Sequence, residues 1–139
     1  MSPLVDRLAQ LFRHLQHLRQ IRPQVTDPEV LESDLTLQND VLRSLQIVCQ
    51  AVIDISSELS ARRMLRLDDY TQAVRNLAAY PEFPHPLVKR LEKLPAFRNV
   101  LVHEYMDLDF AKVVEALDDL EAVEEFARIV HRMNRSAED

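Results

Sequence analysis

Val41-Leu42-Arg43-Ser44-Leu45-Gln46-Ile47-Val48-Cys49-Gln50-Ala51-Val52-Ile53-Asp54-Ile55-Ser56-Ser57-Glu58-Leu59 decides how the rest of the chain is read. Val41, Leu45, Val48, Val52, Ile55 and Leu59 fall at alternating steps of four and three, the signature of one α-helical stripe. Asn39, Arg43, Gln46, Gln50, Asp54 and Ser57 run down the opposite side at the same kind of spacing. The segment reads as a single amphipathic helix from about Pro28 to Ala61, with Asp27 as its N-cap. A polar stripe this regular is a solvent face, a cleft wall against a second subunit, or the seat of another helix. Cys49 lies among Leu45, Val48 and Val52, which predicts a buried, inert thiol.

The flanking segments carry the same period. Upstream, Leu4, Leu8, Leu11, Leu15 and Leu18 predict a helix from Pro3 to about Ile21, ended by Pro23. His14 and His17 lie on its other side, three residues apart. That spacing suits two ligands of one metal, but the helix offers no third, so both read as surface residues. Downstream, Arg62 to Leu67 is a short basic connection, and Asp68 or Asp69 caps a short helix reaching Ala79. Tyr80 to Pro86 holds three prolines and reads as a loop. Helix resumes at Pro86 and runs through Leu87, Leu91 and Leu94 beyond Phe97, until Met106 to Asp109 breaks it. A last helix, capped by Asp109, spans Phe110 to about Asn134. No segment alternates at period two for a strand's length. The expected fold is all-α: an up-and-down bundle of four long helices plus one short helix, in a single domain over 1–139.

Composition narrows the function classes. The chain has 139 residues, enough for a substantial core, and 47% of them are hydrophobic, which argues against disorder. It has no glycine, so glycine-rich phosphate loops are excluded. One cysteine excludes a disulfide framework and a cysteine-rich zinc site. Arg7 and Arg13 interrupt the first apolar stretch, so neither a signal peptide nor a membrane span is expected and the chain reads as cytoplasmic. The net charge of −6 argues against nucleic acid coating the whole surface. The charge is uneven, however. Asp27 to Glu58 holds seven acids and one base, Arg62 to Arg98 eight bases and four acids, and Glu104 to Glu125 nine acids and one base. The basic segment ends at Phe97-Arg98-Asn99-Val100-Leu101-Val102-His103-Glu104-Tyr105.

In that stretch Phe97, Val100, Leu101 and Val102 read as core, so the polar residues ride on a packed helix. Asn99 and His103 are four apart and share a stripe, and Arg98 and Tyr105 share the neighbouring one. Arg98 is long enough to swing its guanidinium toward the imidazole. A fixed cation, an amide and an imidazole on adjoining stripes are suited to a phosphodiester. The same residues equally allow a solvated Arg98 and a His103 that only complements the helix dipole.

Arg98-x4-His103-x-Tyr105, with Asn99 directly after Arg98, resembles the R-x4-H-x-Y motif of the HEPN domains. Within them it resembles the HepT-like toxins paired with minimal nucleotidyltransferases. Asp34 to Asp40 and Ala51 to Ile55 extend the resemblance, which covers nearly the whole chain in length and helix order. Two positions depart from the family pattern. Pro95 interrupts what is usually a smooth helix entering the motif. Ser56-Ser57-Glu58-Leu59 replaces an Asn-His-Ile type of ending, so that helix supplies no second His. The resemblance implies a homodimeric, metal-independent ribonuclease without a cofactor, its two motif helices facing across a cleft. His103 then moves the proton of a ribose 2′-hydroxyl or of the 5′-leaving oxygen. Arg98 stabilises the charge developing at phosphorus, and Asn99 holds a phosphate oxygen or the imidazole. Asp54, on the segment that packs near the motif in the family, becomes the candidate to orient His103 or Arg98. Tyr105 is implied as the residue to which the cognate nucleotidyltransferase antitoxin attaches AMP, blocking RNA. Two other classes remain open: a non-catalytic nucleotide- or RNA-binding partner of a nucleotidyltransferase, and a structural helical dimer.

Overall fold

The computed structural model describes residues 3–103 and 107–138. Every regular element among them is helical. Helix α1 spans Pro3–Ile21 and buries Leu4, Leu8, Leu11, Leu15 and Leu18, the stripe its spacing predicts. A 3-10 turn, Arg22–Gln24, holds Pro23 and ends it. The long second segment is not one helix. Helix α2, Pro28–Ser33, is capped by Asp27, whose carboxylate accepts from the Val30 N–H at 3.0 Å. Asp34 then leaves the helix, with φ −99° and ψ 96°, and caps α3, Leu35–Arg62, by accepting from the Leu37 N–H at 3.1 Å. An aspartate offers the backbone this alternative bond, which is why the helix restarts there.

Helix α3 is the central element. Its apolar stripe is buried, and α1 packs along it on one side and the motif helix on another. Burial in that apolar setting pushes the Cys49 thiol up to about 12, so it is inert as expected. The helix ends in a paired capping turn: Leu65 N–H donates to the Ser60 carbonyl and Met64 N–H to the Ala61 carbonyl, both at 3.0 Å. This turn needs a left-handed residue, and without glycine the chain uses Met64, at φ 57°.

Asp69 caps α4, Tyr70–Arg75, and a 3-10 turn over Asn76–Ala79 follows. The Tyr80 hydroxyl donates to the Leu59 carbonyl at 2.7 Å, tying the proline-rich loop to α3. The expected run from Pro86 into the motif is broken. Helix α5, His85–Leu91, stops, and α6, Leu94–His103, starts afresh with the buried Pro95 in its first turn. Proline has no N–H to give the carbonyl four residues back, so the two helices cannot fuse. The final segment is likewise split, into α7, Phe110–Asp118, capped by Asp109, and α8, Leu120–Glu138. At the break the Arg90 guanidinium holds the Asp119 carboxylate and reaches Glu121 at 3.2 Å. The all-α bundle is as the periodicity predicts, with two of its long helices and the motif segment each interrupted. No helix among the described residues is long and apolar enough to cross a membrane.

Candidate active site

Helix α6 is held against α3 by Leu101, which is fully buried, and by the partly buried Phe97. Two glutamines of α3's polar stripe fasten it further. Gln46 Nε2 donates to the Leu101 carbonyl at 3.0 Å. That carbonyl lies in the last described turn of α6, and the side-chain amide satisfies it. One turn further along α3, Gln50 Oε1 accepts from Arg98 Nε at 2.9 Å, and Gln50 Nε2 donates to Asp54 Oδ1 at 2.8 Å. Arg98 Nη1 donates to Asn99 Oδ1 at 3.2 Å, and Nη2 bonds no described residue. The guanidinium is thus held through Nε and Nη1, and Nη2, unengaged among the described residues, is the donor with which it can receive an anion.

The arrangement differs from the sequence expectation at Arg98 and at Asp54. Arg98 turns toward α3 and not toward the imidazole. Asp54 bonds neither His103 nor Arg98 and reaches the guanidinium only through Gln50. His103, at the end of α6, is exposed and makes no hydrogen bond to a described residue, as is Asn99 apart from its bond to Arg98. Tyr105 lies outside the described residues. His14 and His17 also depart from simple surface residues: His14 Nδ1 bonds Ser44 Oγ at 3.1 Å and His17 Nε2 bonds Asp40 Oδ1 at 2.8 Å. Each therefore braces α1 against α3. Burial, with Arg13, His17 and Arg43 nearby, lowers the pKa of His14. Among the described residues no three His, Cys, Asp or Glu side chains converge on a metal position.

Beside Arg98 lies a polar cleft of about 260 Å³ between α1, α3 and α6, with Arg7, Arg43, Gln46, Gln50 and Asp54 in its walls. A larger cleft of about 390 Å³ opens on the other side of α6. Its floor is Leu45, Val48 and Cys49, and its rim carries Lys93, Lys112 and Glu115 beside the mutually paired Arg90 and Asp119. The polar cleft, whose walls carry Arg7, Arg43 and Arg98 against the carboxylate of Asp54, is the better site for an anionic substrate, and the exposed Asn99 and His103 lie on α6 outside its lining. Gln46 and Gln50 were missed as functional positions. The signal was present as two amides in a polar stripe, but nothing local says that a helix about fifty residues later docks on it.

The family described as Ribonuclease HepT-like matches residues 11–131. The mRNA nuclease HepT of Shewanella oneidensis is 27% identical over 129 residues, which is 91% of this chain and 95% of that protein. The tRNA nuclease HepT of Aphanizomenon flos-aquae is 28% identical over 130 residues, 92% of this chain and 85% of that protein. Among solved structures, the tri-AMPylated HEPN toxin of Shewanella oneidensis in complex with its MNT antitoxin superposes with a TM-score of 0.80. It is 25% identical, with 95% of this chain and 99% of that one covered.

Proposed function

Because this chain belongs to the HepT-like ribonuclease family, we propose that it is the toxin of a toxin–antitoxin pair. In this reading it is a metal-independent endonuclease acting on cytoplasmic RNA, with Arg98, Asn99 and His103 as its site. The observation that carries the reading is the half-tethered Arg98. Gln50 holds the guanidinium through Nε where Arg98 lines a polar cleft, and His103 is exposed at the end of the same helix. Such a group stabilises negative charge without reorganising at the moment of reaction.

The 2′-oxygen of the ribose attacks the adjacent phosphorus, forming a bond to it as the bond to the 5′-oxygen breaks. One imidazole takes the 2′-hydroxyl proton, and an imidazolium gives a proton to the departing 5′-oxygen. The products are a 2′,3′-cyclic phosphate and a 5′-hydroxyl. Each chain offers a single His103 at the motif, so the acid and the base come from two copies in a homodimer whose α6 helices face one another. Arg98 receives the phosphoryl oxygens, and Asp54 keeps Gln50, and through it Arg98, in place.

Regulation follows from the same end of α6. The related toxin is described as tri-AMPylated and bound to an MNT antitoxin. By analogy Tyr105, two residues past His103, accepts AMP from a cognate minimal nucleotidyltransferase. The added phosphodiester brings negative charge and bulk next to the reacting groups. The test is overexpression and in vitro RNA cleavage by wild type, Arg98→Ala and His103→Ala. Both variants are expected to lose cleavage and growth inhibition. Melting temperature should barely move for His103→Ala, because the side chain is exposed and makes no described bond. Normal cleavage by His103→Ala would overturn the assignment.

A further inference from the structure

The polar cleft is lined by more cations than the motif supplies. Arg7 on α1 and Arg43 on α3 share its walls with Arg98. A second, open hollow of about 460 Å³ adjoins it through Arg7 and Gln10 and adds Arg13 and His14. Six arginines elsewhere, Arg19, Arg22, Arg62, Arg66, Arg75 and Arg90, each have a carboxylate partner. Arg7, Arg13 and Arg43 have none within ion-pair distance among the described residues. Of the nearby acids, Asp40 is bonded by His17, while Asp54, bonded by the neutral Gln50 amide, lines the cleft and Asp6 lines the hollow, against the four arginines there. Arg63, Arg128, Arg132 and Arg135 likewise have no carboxylate partner among the described residues, so what sets Arg7, Arg13 and Arg43 apart on a chain of net charge −6 is that they converge on adjoining clefts beside Arg98.

We propose that Arg7, Arg13 and Arg43 form a track for the backbone phosphates of single-stranded RNA, leading along α1 and α3 to Arg98. The inference rests on the ribonuclease reading and extends it from the scissile phosphate to its neighbours. Arg43 and Gln50 are seven residues apart on α3, so Arg43 lies about 10 Å along the axis from the residue that holds Arg98. That separation takes a different phosphate from the one Arg98 receives. The depressed pKa of His14, caused first by burial and then by Arg13, His17 and Arg43, fits a local excess of positive charge. The cleft walls hold mainly guanidinium and amide groups, and the one ring among their residues, the His14 imidazole, is bonded to Ser44. The grip is therefore on the backbone and is independent of base sequence. A single strand is the fitting form, because in-line attack by the 2′-oxygen needs a sugar–phosphate torsion that an A-form duplex does not adopt.

The test is fluorescence anisotropy of a labelled oligouridylate 12-mer with full-length wild-type and His103→Ala protein, at salt from about 50 to 200 mM. Each Arg→Gln change at 7, 13 or 43 should reduce the slope of log affinity against log salt by about 0.7. The triple change should reduce it by about 2, so that fourfold more salt weakens wild type about 20-fold more than the triple variant. In cleavage assays the loss should fall on KM and grow with RNA length. The triple Arg→Lys variant should restore the slope, which separates charge from folding. An unchanged slope in the triple Gln variant overturns the proposal. Weakened binding to the nucleotidyltransferase with RNA affinity intact also overturns it and assigns the strip to an acidic protein partner. If the wild-type protein binds RNA with the steep slope yet never cleaves it, the ribonuclease reading fails while the track stands.

Discussion

Gln50 is the residue whose removal tests the site's architecture most sharply. Its amide accepts from Arg98 Nε at 2.9 Å and donates to Asp54 Oδ1 at 2.8 Å, so Gln50→Ala cuts both bonds at once. Both partners are charged, and such bonds contribute about 1.5–3 kcal/mol each when buried. Gln50 and Asp54 are only partly buried. A combined loss of about 1–2 kcal/mol is therefore expected, or roughly 3–8 °C in melting temperature for a domain of this size. The kinetic effect should be larger. Untethered, Arg98 regains up to about 2 kcal/mol of rotamer entropy that must be removed again in each turnover, which is about 30-fold in kcat. Asp54→Asn keeps an oxygen for the Gln50 amide to donate to and should stay within about threefold of wild type. Initial rates on a labelled RNA oligonucleotide, with calorimetry in parallel, read both effects. Gln50→Met, which fills the same space without the amide, serves if the alanine variant does not fold. Wild-type kcat in Gln50→Ala or Gln50→Met would mean that the Arg98–Gln50–Asp54 chain positions nothing.

Three further outcomes are expected. Met64 occupies the left-handed region at φ 57° and is 92% exposed, so Met64→Gly should relieve that conformation without losing packing. The gain should be about 0.5–1 kcal/mol, seen in calorimetry as a higher melting temperature, and a lower one would contradict the capping argument. His14 has a folded-state pKa below its ordinary value near 6.5, so the unfolded chain binds more protons around and below that pH. Stability should fall as pH drops through 6.5, and denaturant titrations of His14→Asn should show a flatter dependence between about pH 7 and 5. Incubation with the cognate nucleotidyltransferase, ATP and Mg²⁺ should add AMP to the wild type but not to Tyr105→Phe. Equal addition in intact-mass measurements would remove Tyr105 from the regulatory role.

The helical period was readable wherever burial is one-sided. Leu4 to Leu18 and Val41 to Leu59 are buried at the spacing that names them. The breaks were not, because their causes are local bonds that period does not encode. Asp34 sits in a helical pattern yet caps α3, and Asp119 sits in another yet meets Arg90. Pro95 did announce an interruption, and the helix restarts one residue before it. In the site, Arg98, Asn99 and His103 stood out by spacing on one helix, whereas Gln50 bonds Arg98 across 48 residues of sequence. Periodicity marks Gln50 as polar and regular, and only the docking of α6 on that stripe distinguishes it from Ser57. The cations of Arg7 and Arg43 were equally visible as letters. Their convergence depends on how α1 crosses α3.

Attack by the ribose 2′-oxygen, assisted by His103 and received by Arg98, is the central claim, and product chemistry tests it most directly. The purified chain should be incubated in EDTA with an RNA that it cleaves and with the same RNA carrying a 2′-deoxy sugar at the cleaved position. The expected result is a 2′,3′-cyclic phosphate and a 5′-hydroxyl from the first, and no cut at that position in the second. Cleavage at the deoxy position, 5′-phosphate ends, or activity that stops with chelator would contradict it.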